Sequence, residues 1–181
     1  ESSSFLASEC EKAGFKVERG IAGIETAFVA TYGSGSPVIA FLGEFDALSG
    51  LGQNPNVTKQ EPDGKPAGHG CGHNLLGTGS FAAACAAKEY LEKHQLPGTI
   101  KYYGCPAEEG GSGKTYMVRE GAFDGVDIAF CWHPSPGNTI MSPSSLANYQ
   151  VYFKFEGISS HAAASPHLGR SALDAVELMN M

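Results

Sequence analysis

Apolar positions recur at helical spacing over residues 5–14, and the pattern stops at Gly14, with 14–17 as the helix exit. Two stretches, 25–31 and 37–43, read as strands; the second holds the unbroken apolar run 38–42 expected of a strand buried on both faces. Residues 53–67 are polar and carry Pro55, Pro62, Gly64 and Pro66, which predicts an exposed loop. Asn74 is placed to cap a helix reaching about His94. Its Ala-rich first half is apolar nearly all round and so expected to be buried, and its second half surfaces through Lys88, Glu89, Glu92 and Lys93. After Pro97-Gly98 come a strand over 99–104, a short helix over 114–120 closed by Gly121, and a strand over 126–131. Strands alternating with helices predict an α/β layer with a mostly parallel sheet. From Ser144 the pattern changes. Val151, Phe153 and Phe155 alternate with Tyr152, Lys154 and Glu156, so 146–156 reads as a strand with one wet face, and 171–181 as a helix. The expected division is 1–143 and 144–181, the latter the start of a smaller domain.

At 181 residues, 42% hydrophobic and 17% charged, the chain can bury a core of one domain plus a piece, which excludes a disordered polymer. The net charge is −7, and the 12 Lys and Arg never form a run of three, so the basic stripe that nucleic acid requires is missing. The longest apolar runs, 81–87 and 38–42, fall far short of the roughly 18 residues of a membrane span. No signal-peptide pattern opens the chain, which begins at Glu1 and ends inside a helical pattern at Met181; a fragment of a longer chain is expected. Five cysteines, an odd number in apolar or Gly-rich surroundings, fit a reducing, cytoplasmic setting, with Cys10 and Cys85 as small core residues. The 24 glycines exceed the roughly 13 of average usage and cluster at 68–79 and 104–113, which implies tight loops.

Three polar clusters directly follow predicted strands: Glu44 and Asp46, Glu108 and Glu109, and His133 beside Trp132. A fourth, with His69, Cys71, His73 and Asn74, opens the long helix. Ligands of open α/β sheets bind at the carboxyl ends of the strands. A thiol, imidazoles and carboxylates meeting there suit zinc or a similar divalent ion. Each cluster alone also has a plainer reading. Cys71-x-His73 fits a structural glycine loop, Glu108-Glu109 a solvated turn, Glu44-x-Asp46 a polar strand end, and His133 a turn histidine. It is their convergence that favours metal. His161 lies among small residues that would let a substrate approach, or is itself a turn histidine. A phosphate-binding loop ending at Lys114-Thr115 fails, because the position of its first glycine is Glu108.

The motifs Gly-Glu-Phe-Asp-Ala-Leu (43–48), Gly-His-Gly-Cys-Gly-His-Asn-Leu-Leu-Gly (68–77), Cys-Pro-Ala-Glu-Glu-Gly-Gly-Ser-Gly-Lys (105–114), Trp-His-Pro (132–134) and the run from His161 to Ala175 occur in this order. Together they resemble the aminoacylase/carboxypeptidase family of co-catalytic metal amidohydrolases. Within it they look like the p-aminobenzoyl-glutamate hydrolase B-subunit branch, near the auxin-conjugate and hippurate amidohydrolases. The resemblance implies an α/β metallopeptidase catalytic domain followed by the start of an α+β lid and dimerisation domain. It implies Cys71, His73, Glu109 and His133 as ligands of one or two divalent ions, Zn or Mn, with Glu108 as general base and Asp46 orienting a ligand. His161 is similar to a lid histidine that reaches the partner subunit's active site. Two departures stand out: Glu44 occupies a position that is histidine in many relatives, and Asn74 one that is aspartate in the auxin branch. A further histidine ligand lies near the family's C-terminus, beyond these residues.

The implied activity is metal-dependent cleavage of the amide of an N-acyl or N-aroyl amino acid, such as an aminobenzoyl-glutamate, or of a dipeptide. The implied assembly is a homodimer or heterodimer through the lid, and these 181 residues alone are expected to be inactive. Two other readings are a non-catalytic metal-binding subunit of a hetero-oligomeric hydrolase and a Cys71 thiol hydrolase.

Overall fold

The computed structural model describes residues 1–52, 54, 56 and 64–181; most of the loop expected over 53–67 lies outside the described residues. The chain divides into two compact units, Glu1–Ile140 and Met141–Met181.

The first unit is built on a five-stranded sheet. Its elements are α1 (Ser2–Lys12), β1 (Lys16–Arg19), a 3₁₀ turn at Ile21–Gly23, β2 (Phe28–Ser34), β3 (Val38–Glu44), β4 (Leu48–Ser49), β5 (Ala67–Gly68), α2 (His73–His94), β6 (Gly98–Cys105), α3 (Glu108–Gly111), α4 (Gly113–Arg119) and β7 (Ile128–Phe130). The strand order is β1-β2-β6-β3-β7. β3 runs parallel to both β6 and β7, while β2 joins β6, and β1 joins β2, antiparallel. β4 and β5 form a separate small ribbon.

Alternation along the strands separates two cores. Phe28, Ala30, Ile100 and Tyr102 face α1 and α2, where Leu6, Cys10, Phe45 and Ala84 complete the layer. Ala40, Tyr103 and Cys105 face the other way, against Met117 of α4 and Ala27. The chain leaving β3 therefore crosses one face through α2, and the chain leaving β6 enters α3 and α4 on the other. That divergence opens a crevice at the carboxyl ends of two adjacent parallel strands. Register places Glu44 opposite Cys105 at its floor.

Several sequence expectations shift. The strand expected over 25–31 begins at Phe28, because left-handed Gly20 and Gly23 hold the preceding residues in a turn. The exit after Gly14 continues directly into β1, which pairs with β2. The long helix is capped at Gly72 in a left-handed conformation, so Asn74 lies inside its first turn. Its first half is not buried all round: Ala82, Ala83 and Leu75 are exposed, since only one side of α2 meets the sheet.

Gly77 is where α2 passes closest to β3. A Cβ there would sit 2.7 Å from the Glu44 carbonyl oxygen, and the Gly77 carbonyl accepts from the buried Tyr102 hydroxyl at 3.0 Å. Gly77→Ala is expected to cost about 1–3 kcal/mol by overpacking against backbone. At roughly 2–4 °C per kcal/mol, thermal unfolding should fall by several degrees.

In the second unit, Ile158 and Arg170 exchange two backbone hydrogen bonds of 2.9 Å. α5 (Ala172–Met179) starts at Ser171, whose hydroxyl accepts from the Asp174 amide at 3.1 Å. The strand expected over 146–156 does not form: these residues carry no regular structure. Their alternation has no neighbouring strand among the described residues to complete a ladder. No helix among the described residues is long and apolar enough to cross a membrane, and the five cysteines are free thiols.

Candidate metal centre

His73 is the pivot of the crevice. It is fully buried in the first turn of α2. Its Nδ1 meets Asp46 Oδ1 at 3.0 Å, and Asp46 Oδ2 accepts the Glu109 amide at 3.0 Å. One carboxylate thus orients the imidazole and anchors the loop after β6. With its proton held on Nδ1, the ring turns the Nε2 lone pair into the crevice. Nε2 is buried and has no hydrogen-bond partner among the described residues.

Around that orphaned atom stand Glu44 Oε2 at 3.1 Å, Glu108 Oε2 at 3.8 Å and Glu109 Oε1 at 3.8 Å. The two glutamates after β6 occupy α3, a single turn bracketed by Ala107 and Ser112, both left-handed although neither is glycine. Such conformations cost about 1–3 kcal/mol each and persist where surrounding structure enforces them. Here the Asp46–Glu109 bond is one enforcing contact, and it turns both carboxylates inward.

Cys71 and His133 close the other side. Cys71 Sγ lies 3.2 Å from His133 Nε2, and His133 Nδ1 faces the Pro134 carbonyl at 3.1 Å, which leaves Nε2 as the free acceptor. Gly72 permits the approach of these loops: its φ is +82°, and a Cβ there would meet Pro134 Cγ at 2.9 Å. Trp132 holds the β7 loop, donating from Nε1 to the buried Ser80 hydroxyl, which donates to the Leu42 carbonyl.

Two donor sets result. Ligating atoms of Cys71, His73 and His133 lie within 4.8 Å of one another, as do those of Glu44, His73 and Glu108. Atoms bound to one ion at about 2.0–2.3 Å sit roughly 3 to 4.5 Å apart. The spacing, the orphaned Nε2 and the concentration of carboxylates suit a divalent cation. Partial burial, a hydrogen bond with Glu109 and the charges of Glu109, Glu108 and Glu44 push the Cys71 thiol up. A free nucleophilic thiolate is disfavoured in such surroundings, which argues against the thiol-hydrolase reading.

Asp46, Cys71, His73, Glu108, Glu109 and His133 are therefore all brought to one crevice. His161 belongs to the second unit, where its Nδ1 accepts from the Ala163 and Ala164 amides at 3.2 and 3.1 Å. Those two bonds put the ring proton on Nε2. Sequence reasoning missed Lys114, whose ammonium is paired with Glu44. Its Gly-Lys-Thr context pointed only to a phosphate loop, and nothing local signals a partner 70 residues away.

Comparison with known proteins bears on the same segments. The chain is 56% identical over 180 residues to the B subunit of p-aminobenzoyl-glutamate hydrolase from Escherichia coli (strain K12), covering 98% of this chain and 37% of that protein. It is 38% identical over 165 residues to Xaa-Arg dipeptidase of Mus musculus, covering 86% of this chain and 34% of that one. The chain thus spans little more than a third of the length of these curated relatives. Its fold resembles the YXEP protein of Bacillus subtilis, described as a dinuclear metal binding peptidase from the M20 family, with a TM-score of 0.63 at 22% identity, over 75% of this chain and 37% of that one. Residues 40–175 match the model of peptidase family M20/M25/M40, from within β3 into α5. Because that match runs across every loop that delivers a donor atom to the crevice, the chain belongs to the M20/M25/M40 peptidase family.

Proposed function

We propose that the full protein is a metal-dependent amidohydrolase acting on an N-aroyl or N-acyl amino acid of the aminobenzoyl-glutamate type, or on a dipeptide. The observation that carries this reading is the buried, partnerless His73 Nε2 surrounded by thiol, imidazole and carboxylate donors. Kinship to one subunit of an aminobenzoyl-glutamate hydrolase and to a dipeptidase supports the substrate class. Cys71, His73, Glu109 and His133 would hold one or two divalent ions, Zn or Mn, whose Lewis acidity polarises a carbonyl and acidifies water.

The chain's own groups do the rest. Glu108 is the proton carrier. Its side chain is 43% exposed, against 22% for Glu109, so it can meet substrate while its neighbour stays anchored. It takes a proton from the attacking water and returns it to the leaving amine. Asp46 fixes the tautomer and direction of His73. His161, with its proton on Nε2, donates to a substrate oxygen in the partner subunit's site. A sister subunit as partner is supported by the bacterial relative, which is named as one subunit of its hydrolase. The odd number of cysteines in the sequence is the basis for expecting a reducing, cytoplasmic location.

The test is metal content by mass spectrometry together with hydrolysis of p-aminobenzoyl-glutamate by the full-length protein, before and after chelation. Bound metal and chelator-sensitive release of glutamate are expected; metal without hydrolysis in the presence of every subunit would favour a non-catalytic role. Asp46→Ala is expected to lower metal affinity about 10- to 100-fold, as loss of an orienting partner does. Metal titration followed calorimetrically checks this.

A further inference from the structure

We infer that Glu44 is itself a metal ligand, donating through Oε2 beside His73 Nε2. This rests on the metal reading above and adds a residue outside the ligand set implied by sequence. Glu44 ends β3, and its side chain is only 12% exposed. Lys114, from the first turn of α4, takes Oε1 and holds the carboxylate in one orientation. The other oxygen then lies 3.1 Å from His73 Nε2.

That contact is not a hydrogen bond. Nε2 has no hydrogen-bond partner among the described residues despite the short distance, because with the ring proton held on Nδ1 by Asp46 it and the carboxylate oxygen are both acceptors. Two acceptor atoms 3.1 Å apart with no proton between them have the relation of neighbouring ligands on one ion. A separation near 3.1 Å corresponds to two bonds of about 2.1–2.2 Å meeting at close to a right angle. A Glu108 carboxylate oxygen lies within 4.8 Å of both atoms, which sets the proton carrier beside the ion they would share. The ion pair with Lys114 fits this role: it offsets one of the crevice's negative charges and occupies the oxygen not used for ligation.

Cobalt(II) titration of the full-length protein tests the inference. Ligation by Cys71 gives a near-ultraviolet thiolate-to-cobalt charge-transfer band, and the visible d–d bands report coordination number. In Glu44→Gln the amide oxygen keeps the Lys114 bond, which leaves the non-ligating NH2 group towards His73. Expected are a loss of cobalt affinity of at least about tenfold, stronger d–d absorption from a smaller donor set, and an unchanged charge-transfer band. Unchanged affinity, or weaker binding with unaltered d–d bands, overturns the inference. The latter result would assign Glu44 a purely electrostatic role. Should Glu44→Gln fail to fold by circular dichroism, Glu44→Asp keeps the charge but withdraws the oxygen, and the same two readouts decide. Absence of the charge-transfer band from the unsubstituted chain would instead refute the metal reading, and this inference with it.

Discussion

Glu108→Gln in the full-length protein is expected to lower turnover by about a hundredfold to ten-thousandfold while metal content stays unchanged. The amide fills the same space but cannot accept a proton. The structure separates the two adjacent glutamates well enough to make this prediction specific. The Glu109 backbone is tied to Asp46, its carboxylate is the more enclosed, and it shares a hydrogen bond with Cys71. Among the described residues Glu108 has no such tether, and it is the more exposed. Steady-state kinetics with metal analysis on the same preparation decides the matter. Rates within a few-fold of the unsubstituted enzyme would remove Glu108 from the mechanism, and loss of metal with activity would exchange the roles of the two residues.

His161→Ala is expected to remove most activity from the full-length protein while preserving metal, because the donor groups found among the described residues all belong to the first unit. The Ala163 and Ala164 amides hold Nδ1, so the ring presents an Nε2–H donor. If that donor serves a neighbouring subunit, mixing His161→Ala with Glu108→Gln protein should recover part of the rate. Subunit exchange then assembles a site in which both residues are intact. Exchange verified by mass spectrometry, with no recovery of activity, would refute action across subunits. The control is each variant mixed with itself, which should stay inactive.

Most of the crevice was legible in the chain alone. The strands ahead of Glu44, Glu108 and His133 were each expected from the chain, the first by its unbroken apolar run, and glycines marked the loops that fold back sharply. Parallel β3 and β6, joined through a helix, necessarily end at the same edge of the sheet. Placing Asp46, Glu109, His133 and the Cys71 loop together therefore followed from element order alone. What local pattern could not supply was pairing. β1 looked like a helix exit because four residues carry little periodicity, and only the ladder with β2 makes them a strand. Residues 146–156 show the reverse: a clean alternation, and no strand, because no described segment lies alongside to complete the hydrogen bonds.

The same distinction governs the site. Sequence by itself determined which residue types reach the crevice, since alternation and chain punctuation record burial and turns one segment at a time. The tertiary structure alone decided which of them touch: Cys71 with His133 across 62 residues, Asp46 with the Glu109 amide across 63, and Lys114 with Glu44 across 70. These contacts depend on the register of β3 against β6 and on α2 and α4 lying over opposite faces of the sheet. A carboxylate such as Glu44 reads identically along the chain whether it meets water, a lysine or a metal ion, and only the three-dimensional packing around its two oxygens distinguishes them.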